Sequence, residues 1–131
     1  MGLIARVAAA ALVMGISTQA HALEAKYVAG AWKNPAGGSC DPAFFKSGDL
    51  TQTKRGEPAI NGTVTNAGTT VTGLLILDGA RRGQMVSPDT DKAIFLFDER
   101  PGGKLRAMAI GEPVLAWPTV VLDLCPASKP K

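Results

Sequence analysis

The chain has 131 residues, 46% of them hydrophobic and only 5% aromatic, with a formal net charge of +3. That length suits one domain, and the charge is too small to argue for a nucleic-acid partner. Fifteen glycines and nine prolines, without collagen-like period or disorder-like charge density, point to short elements separated by many turns.

Residues 1–22 carry the marks of an export signal. Arg6 supplies a positive start, Val7 to Ile16 is an uninterrupted apolar run, and Ala20-His21-Ala22 is a small-x-small cleavage site. The run is well short of the ~20 residues a membrane-spanning helix needs. Cleavage after Ala22 predicts a mature domain, 23–131, that works in the periplasm or outside the cell, with no membrane insertion after processing. Arg6 and the sole histidine, His21, would both be lost.

Along the mature part, apolar runs alternate with turn clusters at the spacing of an all-β sandwich or barrel. Tyr27 to Lys33 reads as a first strand, followed by a loop, Asn34 to Ser39. Asp41 to Lys46 and Leu50 to Lys54 are short strands with Ser47-Gly48 between them. Ala59 to Thr65 is a strand holding Asn61-Gly62, a hairpin or bulge signal, and Asn66-Ala67-Gly68 turns the chain into Thr69–Leu77. Asp78-Gly79 is the next tight turn. Gln84 to Ser87, Lys92 to Glu99, Lys104 to Ile110, Val114 to Trp117 and Thr119 to Leu124 complete the set. Lys92 to Glu99 is apolar on both faces in its middle, so cover is expected on both sides. Proline and glycine interrupt every window long enough for a three-turn helix. The fold class is therefore all-β: a small antiparallel barrel or closed meander of about eight strands, closed because closure removes exposed edges.

Cys40 and Cys125 can pair only with each other unless they bridge to a second molecule. Pairing in an oxidising compartment closes a loop of roughly 85 residues, worth on the order of 4 kcal/mol by the chain-entropy model. That is comparable with the whole net stability of a small domain.

The first predicted strand contains Gly30-Ala31-Trp32, followed by Lys33-Asn34 and Gly37-Gly38-Ser39. A Gly-x-Trp on the opening strand resembles the calycin barrels, the lipocalin and avidin group. The resemblance implies an eight-stranded barrel with Trp32 packed across one end. The closing run VVLDLC lacks the arginine that lipocalins stack on that tryptophan, and avidin's row of ligand-contacting tryptophans is missing. Small exported inhibitors of metalloproteases and lysozymes also share the Gly-x-Trp opening or a single disulfide.

Without a mature histidine there is no Ser-His-Asp or Cys-His arrangement, and paired cysteines supply no metal thiolate. No phosphate-cradling glycine loop is present, so no cofactor and no metal are expected. Asp89 and Asp91 resemble calcium ligands but lack the glycine and distal glutamate of an EF-hand loop, which leaves a solvated turn. Asp98-Glu99-Arg100 reads as a charged strand end. Asp123 either faces water or meets a cation. Trp32, Phe95 and Phe97 read as core. Phe44 and Phe45 face opposite ways if extended, so one of them is a candidate contact or sits under a loop. Arg81 and Arg82, with Lys54 and Arg55, form the densest basic spot and are the other candidate contacts. The expectation is a non-enzymatic exported binding module for a protein partner, as an inhibitor or envelope accessory factor. A lipocalin-type carrier of a small apolar ligand and a carboxylate-dependent hydrolase are the alternatives.

Overall fold

The structure, a computed structural model, describes residues 23–126; the expected signal segment lies outside the described residues. A single helical turn, α1 (Ala25–Val28), precedes eight strands: β1 (Ala31–Lys33), β2 (Phe45–Gln52), β3 (Pro58–Asn66), β4 (Thr69–Ile76), β5 (Gln84–Val86), β6 (Ala93–Arg100), β7 (Lys104–Ala109) and β8 (Val120–Leu124). Each strand pairs antiparallel with the next, and β8 returns to β1, closing the barrel. Up-and-down order needs only local connections, which the turn-rich sequence supplies.

Several boundaries differ from the sequence reading. Tyr27 belongs to α1, because Gly30 at φ +98° turns the chain sharply between helical turn and strand. Val114 to Trp117 forms turns rather than a strand; Pro113 and Pro118 bracket it and remove ladder donors. The two segments around Ser47-Gly48 form one strand, β2, bulged between Ser47 and Leu50. Asn61-Gly62 is neither hairpin nor bulge but runs straight through β3, with Asn61 Oδ1 accepting the Asp49 amide at 3.0 Å across the bulge of β2. The tight hairpin lies at Ala67-Gly68, both at positive φ, as a two-residue turn of that twist requires.

Strand alternation sends Trp32, Phe45, Val64, Leu75, Met85, Phe95, Phe97, Leu105 and Leu122 into the core, all fully buried. Burying each such side chain contributes about 1.5–3 kcal/mol. Two inward positions are glycines, Gly62 and Gly73, directly opposite each other in β3 and β4. A Cβ on Gly62 would lie 2.8 Å from the Phe45 ring, and one on Gly73 would lie 2.7 Å from Met85 Cγ. The missing side chains on these two strands are the room that Phe45 and Met85 occupy. Phe45 meets Phe97 at 4.7 Å between ring centres, and Phe97 meets Phe95 at 6.0 Å. On β6, Ile94 is buried on the other face, where the Ile110 and Gly111 amides bond to its carbonyl.

The Cys40–Cys125 disulfide is formed, with Cα atoms 6.0 Å apart. Cys40 stands on the connection into β2 and Cys125 directly follows β8, so the bridge spans the two neighbours of three-residue β1.

Gly62→Ala is expected to destabilise the protein by about 1–3 kcal/mol through overpacking. Thermal denaturation of Gly62→Ala with and without Phe45→Leu checks the cause: the smaller side chain should recover part of the loss.

Candidate functional site

The strands alternate in direction, so the barrel has two mouths, and each is stoppered by a different device. At the first, α1 lies beneath the strands. Val28 and Leu23 are fully buried, and the Leu23 amide donates to the Leu77 carbonyl at 2.6 Å. Trp32 is 1% exposed; its Nε1 donates to the Val28 carbonyl at 3.2 Å, and Tyr27 stacks on its ring at 6.1 Å. The Tyr27 hydroxyl donates to the Lys104 carbonyl at 2.6 Å, tying α1 to the start of β7. Burial, and then the nearby Glu99 charge, push the Tyr27 phenol above its ordinary pKa.

At the opposite mouth the β7–β8 connection, residues 110–119, folds over the opening. Val114 is 1% exposed within the core, and Trp117 packs on Phe95 with ring centres 6.0 Å apart. Turn hydrogen bonds from Val114 to Gly111 and from Trp117 to Val114 fix the segment. At Gly111 a Cβ would lie 2.2 Å from the Ala93 carbonyl, so only glycine allows this approach. Anchored at both points, the connection still leaves Leu115 50% and Ile110 40% exposed. A loop positioned by a rigid scaffold is where binding residues are disproportionately found. Nothing in the sequence distinguished Leu115 and Ile110 from a strand interior, because their exposure depends on Val114 and Trp117 turning inward.

The phenylalanines proposed as contacts are not exposed. Phe45 points into the barrel at 0% exposure, and Phe44, at 6%, is covered where the 34–39 loop and the 65–68 hairpin line a shallow hollow of about 360 Å³. Phe44 therefore takes the under-a-loop place, and neither ring is open to solvent.

Arg81 is committed as well. It lies between the β2–β3, β4–β5 and β5–β6 connections and bonds to a carboxylate from each side. Its guanidinium donates to Glu57 at 2.6 and 3.0 Å, to Asp91 Oδ1 at 3.0 Å, and to the Asp91 carbonyl at 3.2 Å. Thr53 Oγ1 donates to Glu57 at 2.6 Å, and Arg55 Nε donates to Asp91 at 2.9 Å. Of the 54–55 and 81–82 basic pairs, Arg55 and Arg81 come together, but around carboxylates rather than as an open cationic patch. Half-buried Arg82 has its Nε enclosed without a hydrogen-bond partner. Asp91, at φ +62°, is turned into this cluster, so the expected solvated turn is corrected at this residue: two arginines occupy its oxygens. Among the described residues no group of three or more histidine, cysteine or carboxylate side chains converges as a metal site.

Hydrogen bonding to Arg81 holds the Glu57 carboxyl at about 2, well below its ordinary value, with burial opposing and Thr53 assisting. The same guanidinium lowers Asp91, and the two carboxylates in turn raise Arg81. Elsewhere Asp98 pairs with Arg106, its cross-strand neighbour, in a two-pronged contact at 2.6 and 3.1 Å, rather than with adjacent Arg100. Asp123 meets the Lys104 ammonium on the outer face.

With this geometry the class is a disulfide-stapled, closed eight-stranded antiparallel barrel, plugged at both ends. The chain matches no protein-family model, no curated protein and no solved structure.

The ion-pair cluster gives a signed pH dependence. Glu57's folded pKa lies below its unfolded one, so its stabilising contribution is fully present above about pH 4.5 and disappears as pH falls toward about 2. The melting temperature is expected to drop through that window. Glu57→Gln should melt lower at neutral pH and flatten part of the acid limb, which a pH series of thermal melts measures.

Proposed function

We propose that this protein is an exported, non-enzymatic binding module with a calycin-like barrel, which contacts a protein partner as an inhibitor or an envelope accessory factor. The observation that carries this reading is the filling of the barrel. Phe45 and Met85 occupy the space left by Gly62 and Gly73, and both mouths are stoppered. A carrier of small apolar ligands needs a pocket of several hundred Å³ within an apolar lining, whereas the apolar side chains here that reach solvent do so on the outside. The β7–β8 connection is the proposed contact, with Ile110 and Leu115 as its exposed side chains. The disulfide fits an oxidising compartment, which supports periplasmic or extracellular work after removal of 1–22.

The hydrolase reading finds less support. Glu57 and Asp91 share one guanidinium, and a carboxylate held well below its ordinary pKa is a poor proton donor or acceptor at neutral pH.

The test is retention of envelope proteins on the oxidised, processed domain, followed by native mass spectrometry of the eluate. A stoichiometric protein complex is expected, lost in Ile110→Asp/Leu115→Asp while the melting temperature stays within a few degrees. Recovery of the domain carrying a tightly held lipid or other apolar small molecule would replace this reading with the carrier.

A further inference from the structure

Strand β2 has a neighbour on both sides along only part of its length. β1 covers Phe45 and Lys46, and the Ser47 amide donates to the Gly30 carbonyl at 3.0 Å. Upstream of Gly30 the chain leaves the sheet for α1. Among the described residues no strand therefore pairs with Asp49–Gln52 on the side away from β3. The residues from Gly48 to Gln52 are all exposed. Leu50 is opposite buried Ile60, yet it is itself 67% exposed, the highest of the large apolar side chains among the described residues.

Hydrogen-bond parity identifies the free groups. The Asp49 amide points to Asn61 of β3, Thr51 pairs with Ala59, and the Thr53 amide donates to the Glu57 carbonyl at 3.1 Å. Alternation along the strand then turns the amides and carbonyls of Leu50 and Gln52 outward. Such an edge is a template for another strand.

We propose that this edge pairs antiparallel with the same edge of a second copy of the chain. Charge selects that occupant and orientation. Asp49 stands at one end of the edge, and exposed Lys54, whose ammonium bonds to the Asp89 carbonyl rather than to a carboxylate, stands at the other, beside Arg55, which is already paired with Asp91. Antiparallel self-pairing brings each Asp49 to the basic end of its mate, whereas parallel pairing would set Asp49 beside Asp49. With Leu50 opposite Gln52 of the second copy, a twofold axis passes between the two Thr51 residues. The outward groups of Leu50 and Gln52 then form four backbone hydrogen bonds in all. The interface is isologous and closes at two copies. Its short length makes the dimer weak and reversible, in the class of small transient interfaces.

Sedimentation equilibrium of the oxidised protein from micromolar to millimolar concentration, with amide exchange at Leu50 and Gln52, tests this directly. A monomer–dimer equilibrium is expected, with protection at those two amides that rises with concentration. Gln52→Pro removes an outward donor without touching the β3 ladder, and should weaken dimerisation by about tenfold or more, as should Asp49→Lys. Asp49→Lys/Lys54→Asp should regain most of it. Three results overturn the proposal: a monomer with rapid exchange at every concentration; protection that ignores concentration, which would mean that the chain's own terminal segment occupies the edge; or a dimer indifferent to Gln52→Pro. Unchanged melting temperatures of the variants exclude misfolding as the cause.

Discussion

The barrel is a ring closed through its smallest strand. Two register pairs join β1 to β2 and two join it to β8, so three residues carry the seam that holds the sheet shut. Hydrogen bonds this few are worth only a few kcal/mol net, which is little for closing a loop almost as long as the domain. Two other interactions reinforce it. Trp32, the central residue of β1, is buried against the core and anchored to Val28. The disulfide ties the connection into β2 to the chain just after β8, where the Cys125 amide also bonds to the Ala31 carbonyl at 2.8 Å. The staple is placed where the ladder is thinnest.

Inside that ring, volume decides what the protein can hold. An eight-stranded barrel is just wide enough for its own side chains or for one small ligand. Four aromatic rings, Phe45, Phe95, Phe97 and Trp32, take most of the interior, and paired glycines make the remaining room. The interior is consequently structural, filled by the barrel's own side chains.

Much of the architecture was legible in the sequence because it depends on local rules. Turn residues at regular spacing gave the all-β class and most strand positions, and two cysteines left one intramolecular pairing. The site was far less legible. Arg81 looked like a free charge because its partners, Glu57 and Asp91, are distant in sequence and meet it only through three connections. Strand alternation at Phe44-Phe45 left open an exposed ring or one under a loop, and only the loop cover over Phe44, which precedes the strand, decides for the second. Val114 to Trp117 looked like a strand by composition, and only burial of Val114 and Trp117 reveals a cap that lifts Leu115 into solvent. In each case the deciding contact was tertiary, which no periodicity encodes.

The meeting of β1 with β8 also fixes an order of events. Trp32 finds its ladder partner at Leu124, almost at the far end of the chain, so the ring stays open throughout synthesis until the last strand has left the ribosome. Until then every partial product is an unclosed sheet lacking the bond to Cys125. Closure and oxidation therefore fall together at the end, since the strand that completes the ring also carries the chain to Cys125.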